Sequence, residues 1–187
     1  MRRLPTDLPE VILLEPLVLE DDRGFFMETY SRRVLAELGI DCEFVQDNHS
    51  RSGRGVLRGF HYQLGQPQAK LVRATVGSVY DVVVDVRRGS PSFGRWVAAE
   101  LSAANRRLLF APAGFAHGFL VTSEVAEFQY KCSDYYAPAE ERGIRWDDPD
   151  LAVPWPLQGP APVLSNRDQT WPRLGEIPQA DLPQGEP

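Results

Sequence analysis

The sequence predicts an all-β sandwich or barrel, and three observations carry that reading. Sixteen prolines and fifteen glycines are scattered through the 187 residues and break the chain into short pieces. Most pieces are rich in β-branched and aromatic residues or alternate apolar with polar, as strands do. Turn residues separate them at short intervals and helical stretches are few, the pattern of antiparallel sheets rather than strand–helix–strand units.

Taken in order, "MRRLPTDLPE" opens with two arginines but continues into Pro5, Asp7 and Pro9 without an apolar core, so it does not read as a signal peptide. One helix is credible. Ser31 can cap a turn with Val34, Leu35 and Leu38 on one side, and Gly39 supplies the stop. "GVLRGFHYQ", Gly55 to Gln63, reads as a strand. "TVGSVYDVVVDV" is the clearest, with Tyr80, Val82, Val84 and Val86 on one face and Asp81, Val83 and Asp85 on the other. "RWVAAELS", "RRLLFAP", "HGFLVT" and "AEFQYKCS" follow as further strands. From about residue 172 four prolines and two glycines predict an irregular tail. With no linker or repeat, residues 1–187 read as one domain.

Composition narrows the function. Hydrophobic residues are 43% and charged residues 25%, as in soluble globular proteins. The formal net charge of −6 argues against a nucleic-acid binder, which wants a basic face. An anionic small ligand would need cations gathered locally. No apolar run approaches the ~20 residues of a membrane helix. Cys42 and Cys132 lack CxxC spacing and read as reduced, buried thiols of a cytoplasmic protein.

"PAGFAH", Pro112 to His117, has the PxGxxH spacing of half of the second cupin motif. Metal-binding cupins also need an HxH pair, and this chain has only His49, His61 and His117. Gln63 stands where the second ligand after His61 would be, and a neutral amide is a poor ligand for zinc or iron. The reading is therefore metal-free and cofactor-free acid–base chemistry. His61 is the natural base, since its unperturbed pKa of about 6.5 lies near working pH. It needs an orienting carboxylate; Asp168 of "LSNRD" is a candidate that spacing alone does not choose among 26 acids. Tyr130, on the same face as Phe128 and Cys132, is either a buried acid or a tyrosine bonded to backbone. Arg58 and His61 are an odd number of residues apart, so they share a pocket only if Gly59 makes a bulge.

Nine blocks, among them "DDRGFFMETY", "FVQDNHSRS", "GVLRGFHYQ", "PAGFAHGF", "YKCSDYYAP" and "LSNRD", resemble the dTDP-4-dehydrorhamnose 3,5-epimerases from about Asp22 to Asp168. The resemblance implies a cupin-type double-stranded β-helix (a jelly roll) with a few short helices. It implies a homodimer with an exchanged N-terminal strand. The implied reaction is epimerisation at C3 and C5 of dTDP-4-dehydro-6-deoxy-D-glucose. By matching motif, His61 would be the base, Asp168 its partner, Tyr130 the acid and Lys70 the stabiliser of the enolate. Arg58 and His117 would meet the sugar–diphosphate. Arg23, Glu28, Gln46, Asp47 and Asn48 match nucleotide-binding positions, Glu141 a ligand-binding one, and Tyr136 the residue stacked on thymine. Arg167 replaces a common lysine at another ligand contact, and Phe60 a common leucine beside the base. The same residues would also suit a 3-epimerase, a 5-epimerase or a nucleotide-sugar-binding cupin without turnover.

Other residues have plainer readings. Asp81 and Asp85 either line the barrel or form a solvated strand face. Trp96, Trp146, Trp155 and Trp171 read as packing, His49 as structural, and Lys131 as exposed on the strand face opposite Tyr130.

Overall fold

A computed structural model describes residues 1–159 and 161–185. The strands are β1 (Arg2–Leu4), β2 (Ile12–Glu15), β3 (Val18–Asp21), β4 (Gly24–Met27), β5 (Gln46–Gly53), β6 (Leu57–Gln63) and β7 (Lys70–Val76). Then come β8 (Ser78–Asp85), β9 (Trp96–Ser102), β10 (Leu108–Ala111), β11 (Phe115–Val121), β12 (Val125–Cys132) and β13 (Glu141–Gly143). Helix α1 (Arg32–Glu37) starts at Ser31, whose hydroxyl accepts from the Val34 N–H, and stops before Gly39 at φ +90°, as its sequence predicts.

Two antiparallel sheets face each other. One runs β1-β2-β10-β7-β12-β5 and the other β13-β6-β11-β8-β9. From β6 onward the chain changes sheet at almost every connection, β8–β9 excepted, which winds it into the jelly roll.

Three apolar layers hold this together. Inward residues Val72, Val83, Leu101, Leu109, Phe119 and Phe128 fill one end of the barrel. Truncating Phe128, which is fully buried, would cost about 3–5 kcal/mol. Outside the five-stranded sheet, Phe60, Val82, Val84 and Val86 pack against Ile144, Leu174, Ile177 and Leu182. Outside the other sheet, Leu14, Leu71 and Phe110 pack against Leu35 of α1 and Ile40 just after it. Both faces of β8 are therefore buried, which is why its valines occur on both.

Burial decides one reading left open by the sequence and adds detail to a second. Asp81 and Asp85 are fully buried, not solvated; Asp85 is held by Arg87, Ser90 and Ser92. The segment from residue 172 has two single-turn 3-10 helices, and its Leu174, Ile177 and Leu182 complete a core layer.

The β3–β4 hairpin pairs only with itself. Leu17, Leu19, Phe25 and Phe26 on and beside it are 56–70% exposed, far more apolar surface than one hairpin normally presents to water.

Candidate active site

The end of the barrel not filled by side chains holds a cavity of about 550 Å³, well within the range of small-molecule sites. Its walls come from both sheets. β6 and β11 contribute Arg58, His61 and His117; β5, β7 and β12 contribute Gln46, Asn48, Lys70 and Tyr130.

The odd spacing of Arg58 and His61 is resolved by a bulge. His117 pairs with His61 and Phe119 with Arg58, so two steps along β11 oppose three along β6. Gly59, at φ +120°, makes this possible. A Cβ there would lie 2.4 Å from Gly118 Cα. The bulge turns Arg58 into the cavity alongside His61, while ordinary strand alternation points Phe60 outward onto Trp155, with ring centroids 5.5 Å apart. Phe60, which replaces a common leucine, therefore packs on the face opposite the base.

His61 Nε2 lies 2.5 Å from Asp168 Oδ1. With that N–H donated to the carboxylate, Nδ1 carries the lone pair. Burial alone would raise the Asp168 carboxyl pKa; hydrogen bonds with His61, Ser165 and Trp171 outweigh it and hold the group below the usual carboxylate value. Burial pushes the Tyr130 phenol up. It pushes the Lys70 ammonium down, against the opposing pull of Cys132, Glu141 and Asp81. Lys70 makes no ion pair among the described residues. Arg58 bonds through Nε and Nη2 to the neutral Ser52 hydroxyl at 3.2 and 3.0 Å, so its charge stays available to the cavity. These are the locally gathered cations that an acidic protein needs for an anionic ligand.

A second imidazole–carboxylate pair lies deeper. His117 Nε2 is 2.9 Å from both oxygens of the buried Asp81, and the ring stacks on Phe128. Sequence reasoning left Asp81 undecided; its neighbour across the sheet, not its neighbours in sequence, gives it a role.

At the rim, Tyr136 donates its hydroxyl proton to Glu141 Oε2 at 3.0 Å and receives a bond from Arg167 at 3.3 Å. Arg167 also pairs with Glu141. Gln63 sits where a metal ligand would be sought, but its amide is committed to backbone: it donates to the Gln66 and Tyr135 carbonyls and accepts from the Ala137 N–H. It anchors the loop that carries Tyr136.

Three expected ligand residues lie outside this cavity. Arg23 and Glu28 are on and beside the projecting hairpin, Arg23 paired with Asp21. Asp47 points to the outer face and pairs with Lys131 at 2.9 Å. His49, read as structural, pairs with Glu127.

A carboxylate-oriented imidazole faces a tyrosine across a cationic cavity, an arrangement suited to proton transfer on two sides of one ligand. Comparison with known proteins identifies the lineage. The profile described as dTDP-4-dehydrorhamnose 3,5-epimerase matches residues 5–176. The chain belongs to this family. The epimerase of that name from Pseudomonas aeruginosa is 61% identical over 163 residues, 87% of this chain and 90% of the relative. A solved Legionella pneumophila dTDP-6-deoxy-D-glucose-3,5-epimerase, in complex with dTDP-4-keto-L-rhamnose, superposes with a TM-score of 0.95 at 47% identity, covering 100% of this chain and 99% of that one. A 3′-monoepimerase from Streptomyces bikiniensis, in complex with dTDP-quinovose, superposes at 0.86 with 36% identity, covering 98% and 93%. This family member is thus an isomerase with the cupin-type fold. No helix among its described residues is long and apolar enough to cross a membrane.

Proposed function

We propose that this enzyme epimerises C3 and C5 of dTDP-4-dehydro-6-deoxy-D-glucose, giving dTDP-4-dehydro-6-deoxy-L-mannose, the step that serves dTDP-L-rhamnose synthesis. The observation that carries the reading is the opposition of His61 and Tyr130, one on each sheet, across a single cavity. Both target carbons flank the C4 ketone, so loss of either proton gives an enolate spread onto that oxygen. His61 removes the proton while Asp168 fixes the ring's tautomer and steadies the imidazolium. Lys70 stabilises the enolate oxygen. Tyr130 returns a proton from the opposite face, which inverts the centre.

Arg58 and His117 hold the sugar–diphosphate, and Gln46, Asn48, Tyr136, Glu141 and Arg167 the nucleotide end. Arg23, Glu28 and Asp47 complete it in a homodimer. The projecting apolar hairpin supports exchange with a second copy, as does β5, an edge strand with one open hydrogen-bonding side beside the cavity. In this assembly one protomer's Arg23 and Glu28 reach its partner's nucleotide. The whole of residues 1–187 forms the single domain.

The test is incubation with dTDP-4-dehydro-6-deoxyglucose in D2O and location of deuterium by NMR. Label at both C3 and C5 with inverted product is expected. Label at one centre makes the enzyme a monoepimerase, and no label leaves only binding.

A further inference from the structure

We propose that Trp171 is a positioning residue of the dyad, holding the Asp168 carboxylate against His61 from behind the cavity wall. The kinetic part of this proposal rests on the epimerase reading above. Trp171 reads from sequence as packing, and nothing about its neighbours "QTWPR" suggests more. In the fold its indole N–H donates to Asp168 Oδ1 at 3.3 Å, the same oxygen that His61 Nε2 approaches at 2.5 Å. Its ring meets His61 edge-on, with centroids 6.2 Å apart and planes at 68°. Two donors converging on one oxygen hold the carboxylate's rotation more tightly than His61 alone does.

Independent geometry shows that room is kept for the indole. Gly143 on β13 lies opposite His61 in the sheet register. A Cβ at residue 143 would fall 2.4–2.6 Å from Cε2, Cδ2 and Nε1 of Trp171. Glycine is thus required by the close approach of the ring, at φ < 0 where conformation would not demand it. The flanking chain is pinned as well: the Arg145 N–H donates to the Pro172 carbonyl at 2.9 Å, and the Leu174 N–H to Asp148 Oδ2 at 2.7 Å. The tail's first residues therefore set the position of a group that never touches the cavity.

Trp171→Phe keeps an aromatic ring on Gly143 and removes the N–H. The expected result is a fall in kcat of about tenfold, the kinetic equivalent of weakening one hydrogen bond to a charged group. KM should stay within about twofold, because no contact to substrate is lost. The downfield ring N–H resonance of His61, assigned by its loss in His61→Asn, should shift or broaden in free enzyme. Gly143→Ala displaces the indole without touching a titratable group and should give the same loss of kcat. In wild-type enzyme the Trp171 indole proton should exchange slowly with solvent, a measurement that needs no variant. Wild-type kcat with an unmoved His61 resonance in Trp171→Phe would overturn the proposal, as would solvent-like exchange of the indole proton. A kcat loss that only tracks a fall in melting temperature would do so too. A wild-type enzyme that does not turn over the sugar nucleotide would instead overturn the epimerase reading, and the two NMR measurements would still decide the role of Trp171.

Discussion

His61 and Tyr130 face one another across the cavity from different sheets, His61 on β6 and Tyr130 on β12. A planar enolate lying between two sheets has one face toward each. On the proposed mechanism the two sheets separate proton removal from proton return, and the two roles can be tested apart.

His61→Asn should abolish turnover, by at least about 10³-fold, since general base catalysis alone contributes ~10²–10⁴ and one base serves both centres. Asparagine can still bond Asp168, so the fold and dTDP binding should survive. Solvent exchange at C3 and C5 is the readout; near-wild-type exchange would remove His61 from the role of base.

Tyr130→Phe should separate exchange from inversion. Proton abstraction by His61 continues and deuterium enters from the same face, while inverted product falls by about 10²-fold or more. Unchanged product formation would mean that another donor delivers the proton.

Lys70→Met should stabilise the protein while disabling it. Burial disfavours the Lys70 ammonium, which has no carboxylate in contact among the described residues, so an apolar side chain of similar length relieves a cost of about 1 kcal/mol. A rise in melting temperature of about 2–4 °C is expected. The loss of enolate stabilisation should lower kcat by about 10²-fold. An unchanged or lower melting temperature would show that the charge is better satisfied than its burial implies.

The pH dependence of stability should carry the mark of Asp168. Its carboxyl pKa is lowered in the folded state, so the group stabilises the fold above its unfolded pKa of about 3.9 and loses that contribution as pH falls through the folded value. Asp168→Asn should therefore melt below wild type at pH 7, and the gap should close below about pH 4. A gap independent of pH would mean that the variant's effect is packing and not ionisation.

Much of this site is legible in the chain because motifs keep local spacing. The strand about His61, the PxGxxH segment ending in His117 and the strand carrying Tyr130 each bring their motif residue to the cavity. The Arg58–His61 parity conflict even points to Gly59 as a bulge. What is not legible depends on pairing across sheets. Asp81 meets His117 only because β8 and β11 are neighbours, and both faces of β8 are apolar, so no pattern tells which one faces the cavity. Gly143 and Trp171 are 28 positions apart in the numbering, and neither has a local signal, since their contact follows from where β13 and the tail cross.

The hairpin makes the last expectation one about two chains. Arg23 lies outside its own cavity, on a hairpin with Phe25 and Phe26 open to water, so the nucleotide contact proposed for it is one made to a second copy. Arg23→Ala should raise KM by about tenfold with a smaller effect on kcat, because it removes one charged contact remote from the reacting carbons. His61→Asn is inactive for a different reason. Mixed under conditions of subunit exchange, the two variants should form heterodimers in which one of the two sites contains both an intact His61 and an intact Arg23 from the other chain. At low substrate, where Arg23→Ala keeps about a tenth of wild-type activity and His61→Asn essentially none, the mixture should rise to about a quarter of wild-type activity, half of the chains pairing as heterodimers with one good site each. Mass spectrometry of isotope-labelled subunits verifies the exchange. No recovery with exchange verified would show that each chain supplies the whole of its own site.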